Sequence, residues 1–206
     1  MNTNNVTSLY YNKDGKTNDL FIGTAEGLVI LNLSSTEKKV LTGNSNNVHP
    51  FTNNYITQVL QDSRGLIWSG TREGLNILDM ETDNLQYLTE KQGLCNNNVC
   101  GIAEDKSHNI WVTTSSGVSR VVTQRNHEDG TYNFGLYNYD TTDGLQSNEF
   151  NSGAIITQKN GDVLLGGIFG INWVVQKSKD DTSVNIRMNP ATTSLQRHPD
   201  LMLRHR

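Results

Sequence analysis

The chain has 206 residues, of which 34% are hydrophobic and 18% charged, and a formal net charge of −4 at neutral pH. That is enough apolar material for a core, but the surface must be polar rather than ionic. Asn, Thr, Ser and Gly fill it, a turn-rich composition of β type. No basic cluster able to neutralise a phosphate backbone occurs in the body of the sequence, which argues against nucleic acid as a partner. Arg197, Arg204 and Arg206 fit a solvated tail.

No run of about 18 apolar residues occurs, so no segment has the length and character of a membrane-crossing helix. The start, Met1 to Asn5, is polar and lacks a signal-peptide core. Taken as complete, the chain would stay in the compartment where it is made.

Taken in order, the sequence falls into four copies of one pattern. The first offers strand candidates at 6–10, 20–22 and 28–31, with a turn at Lys13, Asp14 and Gly15. A polar linker, 34–54, follows. The second copy is the clearest. It has strands at 56–61, 66–70, 75–78 and 85–88, with turns at Asp62-Ser63-Arg64-Gly65 and before Gly74. The third has strands at 99–103, 110–112 and 118–122, then an additional hairpin expected at Glu128-Asp129-Gly130, before 132–134. The fourth has 154–157, a turn at Lys159-Asn160-Gly161-Asp162, then 163–165 and 171–175.

Each copy carries a strand ending in an aromatic or apolar pair, then Gly or Thr, then a turn closed by glycine. The closing residues, Gly27, Gly74, Gly117 and Gly170, are 47, 43 and 53 residues apart. Repeats of about 40 to 50 residues in β-rich sequence mark propeller blades, each a four-stranded antiparallel sheet. The expected fold is therefore all-β. Four blades (about 6–50, 54–92, 97–140 and 145–175) form a partial propeller over 1–175, and a poorly ordered tail covers 176–206. A four-blade arc leaves two blade faces exposed. The chain is expected either to remain an open arc or to complete itself by association, as a homodimer or with further blades.

The residues that could carry chemistry have simpler roles. Phe21, Trp68 and Trp111 read as wedges between neighbouring blades. The repeated glycines are turn positions and open no helix, as a phosphate loop would require. Cys95 and Cys100 lack the partners of a zinc site. They read as two buried free thiols, with a disulfide as the alternative. His108 reads as an exposed turn residue, and His49 and His127 fall in loops. Asp14, Asp62, Asp105 and Asp162 sit at turns that explain them. Glu73 and the Glu104-Asp105 pair occupy repeat positions. No catalytic or metal-ligating residue and no cofactor is assigned, and the ligand-binding residues are unknown.

The second and third copies resemble the two-component regulator propeller repeat: Leu66-Ile67-Trp68-Ser69-Gly70-Thr71 through Gly74-Leu75, and Ile102-Ala103-Glu104-Asp105 through Ile110-Trp111-Val112-Thr113-Thr114. The fourth, from Asp143-Gly144-Leu145-Gln146-Ser147-Asn148-Glu149-Phe150 to Gly166-Gly167-Ile168-Phe169-Gly170, is similar to the last propeller blade in the sensor region of hybrid two-component histidine kinases of Bacteroides type. The resemblance covers roughly residues 6–175. It implies a periplasmic, non-enzymatic sensor propeller that binds oligosaccharides and signals through a dimer. It also implies a sandwich domain, membrane helix and kinase, none of which this sequence contains. The chain is thus expected to be a piece of such a sensor. The alternatives are a polysaccharide-degrading enzyme on a propeller scaffold and a protein-interaction propeller.

Overall fold

The structure, a computed structural model, describes residues 5–12, 17–43, 50–126, 131–176 and 184–190. It is all-β, with four antiparallel four-stranded sheets, each ordered as its strands occur in the chain. Blade one is β1 (Val6–Tyr11), β2 (Asp19–Thr24), β3 (Gly27–Asn32) and β4 (Lys38–Leu41). Blade two is β5 (Ile56–Gln61), β6 (Ile67–Thr71), β7 (Gly74–Asp79) and β8 (Asn84–Leu88). Blade three is β9 (Val99–Glu104), β10 (Ile110–Thr114), β11 (Val118–Arg125) and β12 (Tyr132–Tyr139). Blade four is β13 (Phe150–Thr157), β14 (Val163–Gly167), β15 (Gly170–Gln176) and β16 (Val184–Pro190).

Three expectations change. The polar linker after the first copy contains β4, the outer strand of blade one. The stretch read as a tail contributes β16, which pairs with β15 along its length. β4, Lys38-Lys39-Val40-Leu41, has no apolar alternation, and β16, although Val184, Ile186 and Met188 alternate with polar residues, follows the polar run 176–183 outside the repeat, so neither stood out. In the third copy the hairpin expected around 128–130 is the blade's own outer pair. Its ordinary outer pair, β11 and β12, is simply long, eight residues in each strand. The turns expected at 13–15 and 128–130, and the rest of the tail, lie outside the described residues.

The core consists of three clusters, and each spans two successive blades. Phe21, Leu28 and Ile30 of blade one meet Ile56, Val59, Ile67 and Leu78 of blade two. Trp68, Leu75 and Ile77 meet Val99, Ile102, Ile110 and Val121. Trp111 and Val118 meet Phe150, Ile155, Val163 and Val174. The strand period of two sends neighbours to opposite faces. Ile67 therefore faces the preceding blade and Trp68 the following one, and Ile110 and Trp111 divide in the same way. Phe21, Trp68 and Trp111 are the expected wedges, at 1%, 0% and 0% exposure.

Close approach between blades needs glycine beside the wedge. A Cβ on Gly23 would lie 2.8 Å from Ile56 Cγ2, and one on Gly70 would lie 2.6 Å from Val99 Cγ1. Blade three has Thr113 at this place, and its cross-strand partner is a glycine, Gly101. The small residue has moved to the paired strand.

Side chains join the inner strands of successive blades. Ser8 Oγ accepts from Val59 N at 3.1 Å. Gln58 pairs its amide with Ile102, accepting from N at 2.9 Å and donating to O at 3.2 Å. Thr157 Oγ1 donates to Glu104 O at 2.6 Å.

The segments entering blades two, three and four share one design. Phe51, Leu94 and Leu145 are buried plugs between blades. The next residue in each case donates its backbone N–H to a buried polar side chain on the third strand. Thr52 donates to Asn76, Cys95 to Ser119 and Gln146 to Asn172, at 2.9–3.0 Å. The entries to blades three and four also share a one-turn 3-10 helix with a capping box, closed by left-handed Gly93 and Gly144. The lead-in from Gly144 to Phe150 thus recurs as Gly93 to Val99.

Replacing Gly70 with alanine forces its methyl group onto Val99 and Thr57 Oγ1. Overpacking of this kind costs about 1–3 kcal/mol. Chemical denaturation of Gly70→Ala should show that loss, and adding Val99→Ala to it should cost less than Val99→Ala costs in the parent chain. Equal stability of Gly70→Ala and the parent chain would refute the close-approach role.

Candidate functional site

One end of the arc carries the turns from first to second and from third to fourth strands. Its geometry is fixed by buried aspartates. Asp62 accepts from Arg64 N at 2.9 Å, from Leu66 N at 3.0 Å and from Trp68 Nε1 at 2.9 Å. It also pairs with the Arg64 guanidinium at 2.7 Å. Asp105 repeats this with Ser107 N at 2.8 Å, Asn109 N at 3.0 Å and Trp111 Nε1 at 2.8 Å. The turn role expected of these aspartates holds, but each also neutralises the one polar atom of a buried wedge. In blade four both partners have moved. Trp173 lies across from Leu164, the position equivalent to Trp68, and donates to Asp162 at 3.1 Å.

A cavity of about 560 Å³ opens at this end, lined from blades one, two and three by Tyr10, Asp19, Asp62, Arg64, Glu104 and Tyr132 among others. Many of its polar groups are committed to one another. Tyr10 Oη donates to Gln61 O at 3.0 Å, and Asn32 donates to Asp19 at 2.8 Å. Glu104 accepts from Ser63 N at 2.8 Å. Two of these bonds tie successive blades together, Tyr10 to blade two and Ser63 to blade three.

Beside it the structure brings together Ser63, His108 and Glu104, which sequence reasoning did not connect. Ser63 Oγ lies 2.7 Å from His108 Nδ1, and Glu104 Oε1 lies 3.1 Å from the same nitrogen. A nucleophilic triad needs hydroxyl and carboxylate on opposite ring nitrogens. Here both address one, so the group is a clasp between blades rather than a charge relay. His108 stands in an exposed turn, as expected, with φ +64°. Glu73 is on a turn at the other end of the arc. His49 and His127 fall outside the described residues.

The other end carries the second-to-third-strand turns and the lead-ins, and here blade four departs from its repeat three times. In blades one to three a threonine hydroxyl closes the turn: Thr24, Thr71 and Thr114 donate to Gly27 O, Gly74 O and Gly117 O at 2.7–2.8 Å. Blade four has Gly167 instead, and Gln146 Oε1 from the lead-in accepts from Phe169 N at 2.6 Å. The turn tip also changes character. Where the other blades have Glu26, Glu73 and Ser116, all exposed, this one has Phe169 at 72% exposure, next to Ile168.

The third departure is in β13. Blades one to three have a single-residue bulge in the first strand. In β13 the register runs from Phe150↔Gly167 directly to Ile155↔Leu165. Asn151, Ser152 and Gly153 stand out of the ladder, exposed. They are next to the same turn, since Ile168 N donates to Glu149 O at 3.4 Å. A ringed apolar tip, an exposed Asn-Ser-Gly bulge and Glu149 thus share one corner. Enlarged bulges re-aim side chains and are common beside binding sites. Sequence reading had marked both segments but not their meeting.

The two-component regulator propeller family matches residues 50–73 and 93–116, the lead-in and first half of blades two and three. These two segments carry the two-component regulator propeller repeat. It is 26% identical over 87% of its length to histidine kinase P4 of Formosa agariphila, of which it covers 16%. The extracellular domain of a hybrid two-component system from B. thetaiotaomicron has the same fold, with a TM-score of 0.66 and 26% identity. The match covers 82% of this chain and 21% of that one. The extracellular domain of a second such system from that organism gives a TM-score of 0.64 at 20% identity, over 88% and 24% of the two chains. The chain therefore spans between about a sixth and a quarter of the length of these relatives.

Both cysteines of this chain are free. Cys100 is buried, as expected, but Cys95 is half-buried. Burial pushes the Cys100 thiol above its usual range, against a hydrogen bond from Ser115, so it stays protonated at neutral pH. Alkylation of the folded propeller at neutral pH should modify Cys95 first and reach Cys100 only on unfolding. Mass spectrometry showing Cys100 labelled first would overturn that order.

The Asp62 clamp gives a second test. Asp62→Ala strands the buried Trp68 N–H and two turn N–H groups, at a cost of roughly 2–4 kcal/mol. Trp68→Phe, which keeps the wedge and leaves Asp62 its other partners, should cost about 1 kcal/mol. If urea denaturation found the two variants equally stable, the turn bonds of Asp62 would add nothing measurable to its bond with the indole.

Proposed function

We propose that this propeller is a ligand-sensing part of a hybrid two-component system, that it works on the outer side of the cytoplasmic membrane, and that its ligand is an oligosaccharide. Its likeness in fold and sequence to extracellular domains of such systems supports the first two points. The observation that carries the third is the fourth-blade corner. Phe169 offers an exposed apolar ring face. Asn151, Ser152 and Glu149 beside it offer amide, hydroxyl and carboxylate groups. A sugar ring presents the matching surfaces, an apolar C–H face bordered by hydroxyls. Phe169 sits at a position that is solvent-facing in every blade, so its exposure does not follow from the lack of a neighbour on blade four.

Calorimetric titration with a panel of neutral oligosaccharides should show heat for at least one member. Phe169→Ala should weaken that binding about tenfold, equivalent to ~1.4 kcal/mol, without altering the thermal transition. No heat from any member would remove the oligosaccharide reading and favour a protein partner. New reducing ends on prolonged incubation would instead show an enzyme.

A further inference from the structure

The fourth-blade corner adjoins the tip of blade three, and that tip has left the repeat as well. In blades one, three and four a backbone bond holds the first residue of the second-to-third-strand turn against the residue that precedes the first strand. Ala25 N donates to Asn5 O at 3.3 Å, Ser115 N to Asn98 O at 3.1 Å and Ile168 N to Glu149 O at 3.4 Å. In blade two the same positions hold Arg72 and Tyr55, with the guanidinium 3.8 Å from the ring centroid. The side chains at this pair of positions differ from blade to blade, on a main chain that stays the same.

Blades one and two each end this turn in an exposed acid, Glu26 and Glu73. Blade three has Ser115-Ser116 in the turn and Asn98 before the strand, which offer hydroxyls and an amide and carry no charge. Asn98 and Ser116 are exposed, and Asn98 Nδ2 donates to Ser115 Oγ. Blade three has a neighbour on each side, so its tip is not exposed for want of an adjoining blade. The tip is also continuous with the corner. Gly117 N donates to Asn148 O at 2.7 Å, and Ser116 and Glu149 are each one residue from that bond. Three backbone bonds thus join Asn98, the turn at 115–117, the lead-in at 148–149 and the tip at 168–169 into one surface. The uncharged run ends at blade two. There Gly74 N makes the matching bond to Asn97 O at 2.8 Å, but the tip is Arg72-Glu73.

We propose, on the reading of the corner as an oligosaccharide site, that the site spans blades three and four. One sugar ring lies on Phe169, and the units beyond it are held by Asn98, Ser115 and Ser116. The ligand is therefore a chain of several units, because the groups that hold it stand on two blades. Sugar hydroxyls both donate and accept, and amide and hydroxyl side chains answer them in either sense. A carboxylate at the tip, as blades one and two have, only accepts. A few such polar groups beside an apolar ring are what fix the orientation of a ligand in its site.

Calorimetric titration with cello-, xylo-, manno- and arabino-oligosaccharides of two and of six units tests this. In the series that binds, the parent chain should hold the six-unit member about tenfold more tightly than the two-unit member. Asn98→Ala and Ser115→Ala should each weaken the six-unit ligand by roughly three- to tenfold and leave the two-unit ligand unchanged. Phe169→Ala should weaken both lengths. The two blade-three variants should keep the parent's thermal transition, since Ser115→Ala installs the residue that blade one has there and the Asn98 side chain is bonded to Ser115. Equal affinity for two and six units overturns the proposal and leaves the Phe169 site standing. So does parent-like binding of the six-unit ligand by both blade-three variants. No heat from any series removes the oligosaccharide reading, and the two-blade site with it.

Discussion

The constraint on which the structure depends is that the middle strands of a blade are apolar on both faces. Every residue of β6 and β10 is buried. Ile67 and Trp68, or Ile110 and Trp111, cannot both be covered by one partner, since they point in opposite directions. A blade therefore gains its hydrophobic stabilisation only as a member of a stack, with a neighbour on either side. Nearest-neighbour coupling of this kind explains why the sequence repeats at all. Each copy must present the same two faces, because each is both wedge for the next blade and socket for the last.

The polar features follow from that packing. A tryptophan is the largest available wedge, but it brings an N–H into a dry interface, and burying it unpaired is costly. Asp62 and Asp105 resolve this from the adjoining turn, and the same carboxylates organise the turn. The two functions are coupled tightly enough that blade four moves both partners together. Asp162 comes four residues later than Asp62 does in its turn, and Trp173 lies one strand further out than Trp68. Thr113 and Gly101 show the same compensation in volume, with a small residue exchanged between paired strands so that blades still approach closely.

Repeat period, blade architecture and wedge residues were legible in the sequence because they rest on apolar periodicity and turn glycines. The second copy, with Leu66-Ile67-Trp68 followed by Gly74, has its strands within a residue or two of where they were read. The outer strands β4 and β16 were not legible. Lys38-Lys39-Val40-Leu41 is two charges followed by two half-buried residues, and nothing in it alternates. The aspartate clamps were only half legible. A turn role can be read from local sequence, whereas the indole bond needs the twist that brings residue 62 back over residue 68. The fourth-blade corner was the least legible. Its parts are some 15 residues apart, and they meet through the pairing of Phe150 with Gly167 and the bonds of Ile168 and Phe169 to the lead-in.

That corner also shows how one copy of a repeat can change its surface. A blade's turn tip is free of packing duties, as the exposed Glu26, Glu73 and Ser116 show, so a change there costs the stack little. Removing the threonine from the turn does have a structural cost, because its hydroxyl holds the loop shut. In blade four the Gln146 side chain takes over that task from the lead-in. An apolar residue drifting to the surface would need no such replacement support. Here the backbone N–H of Phe169 itself is bonded to Gln146, and the neighbouring bulge opens beside it without disturbing Phe150 or Ile155, which stay buried. The scaffold contacts are retained while the surface is rebuilt around one aromatic ring, as expected where a binding corner has been added to a blade without loosening it from its neighbour.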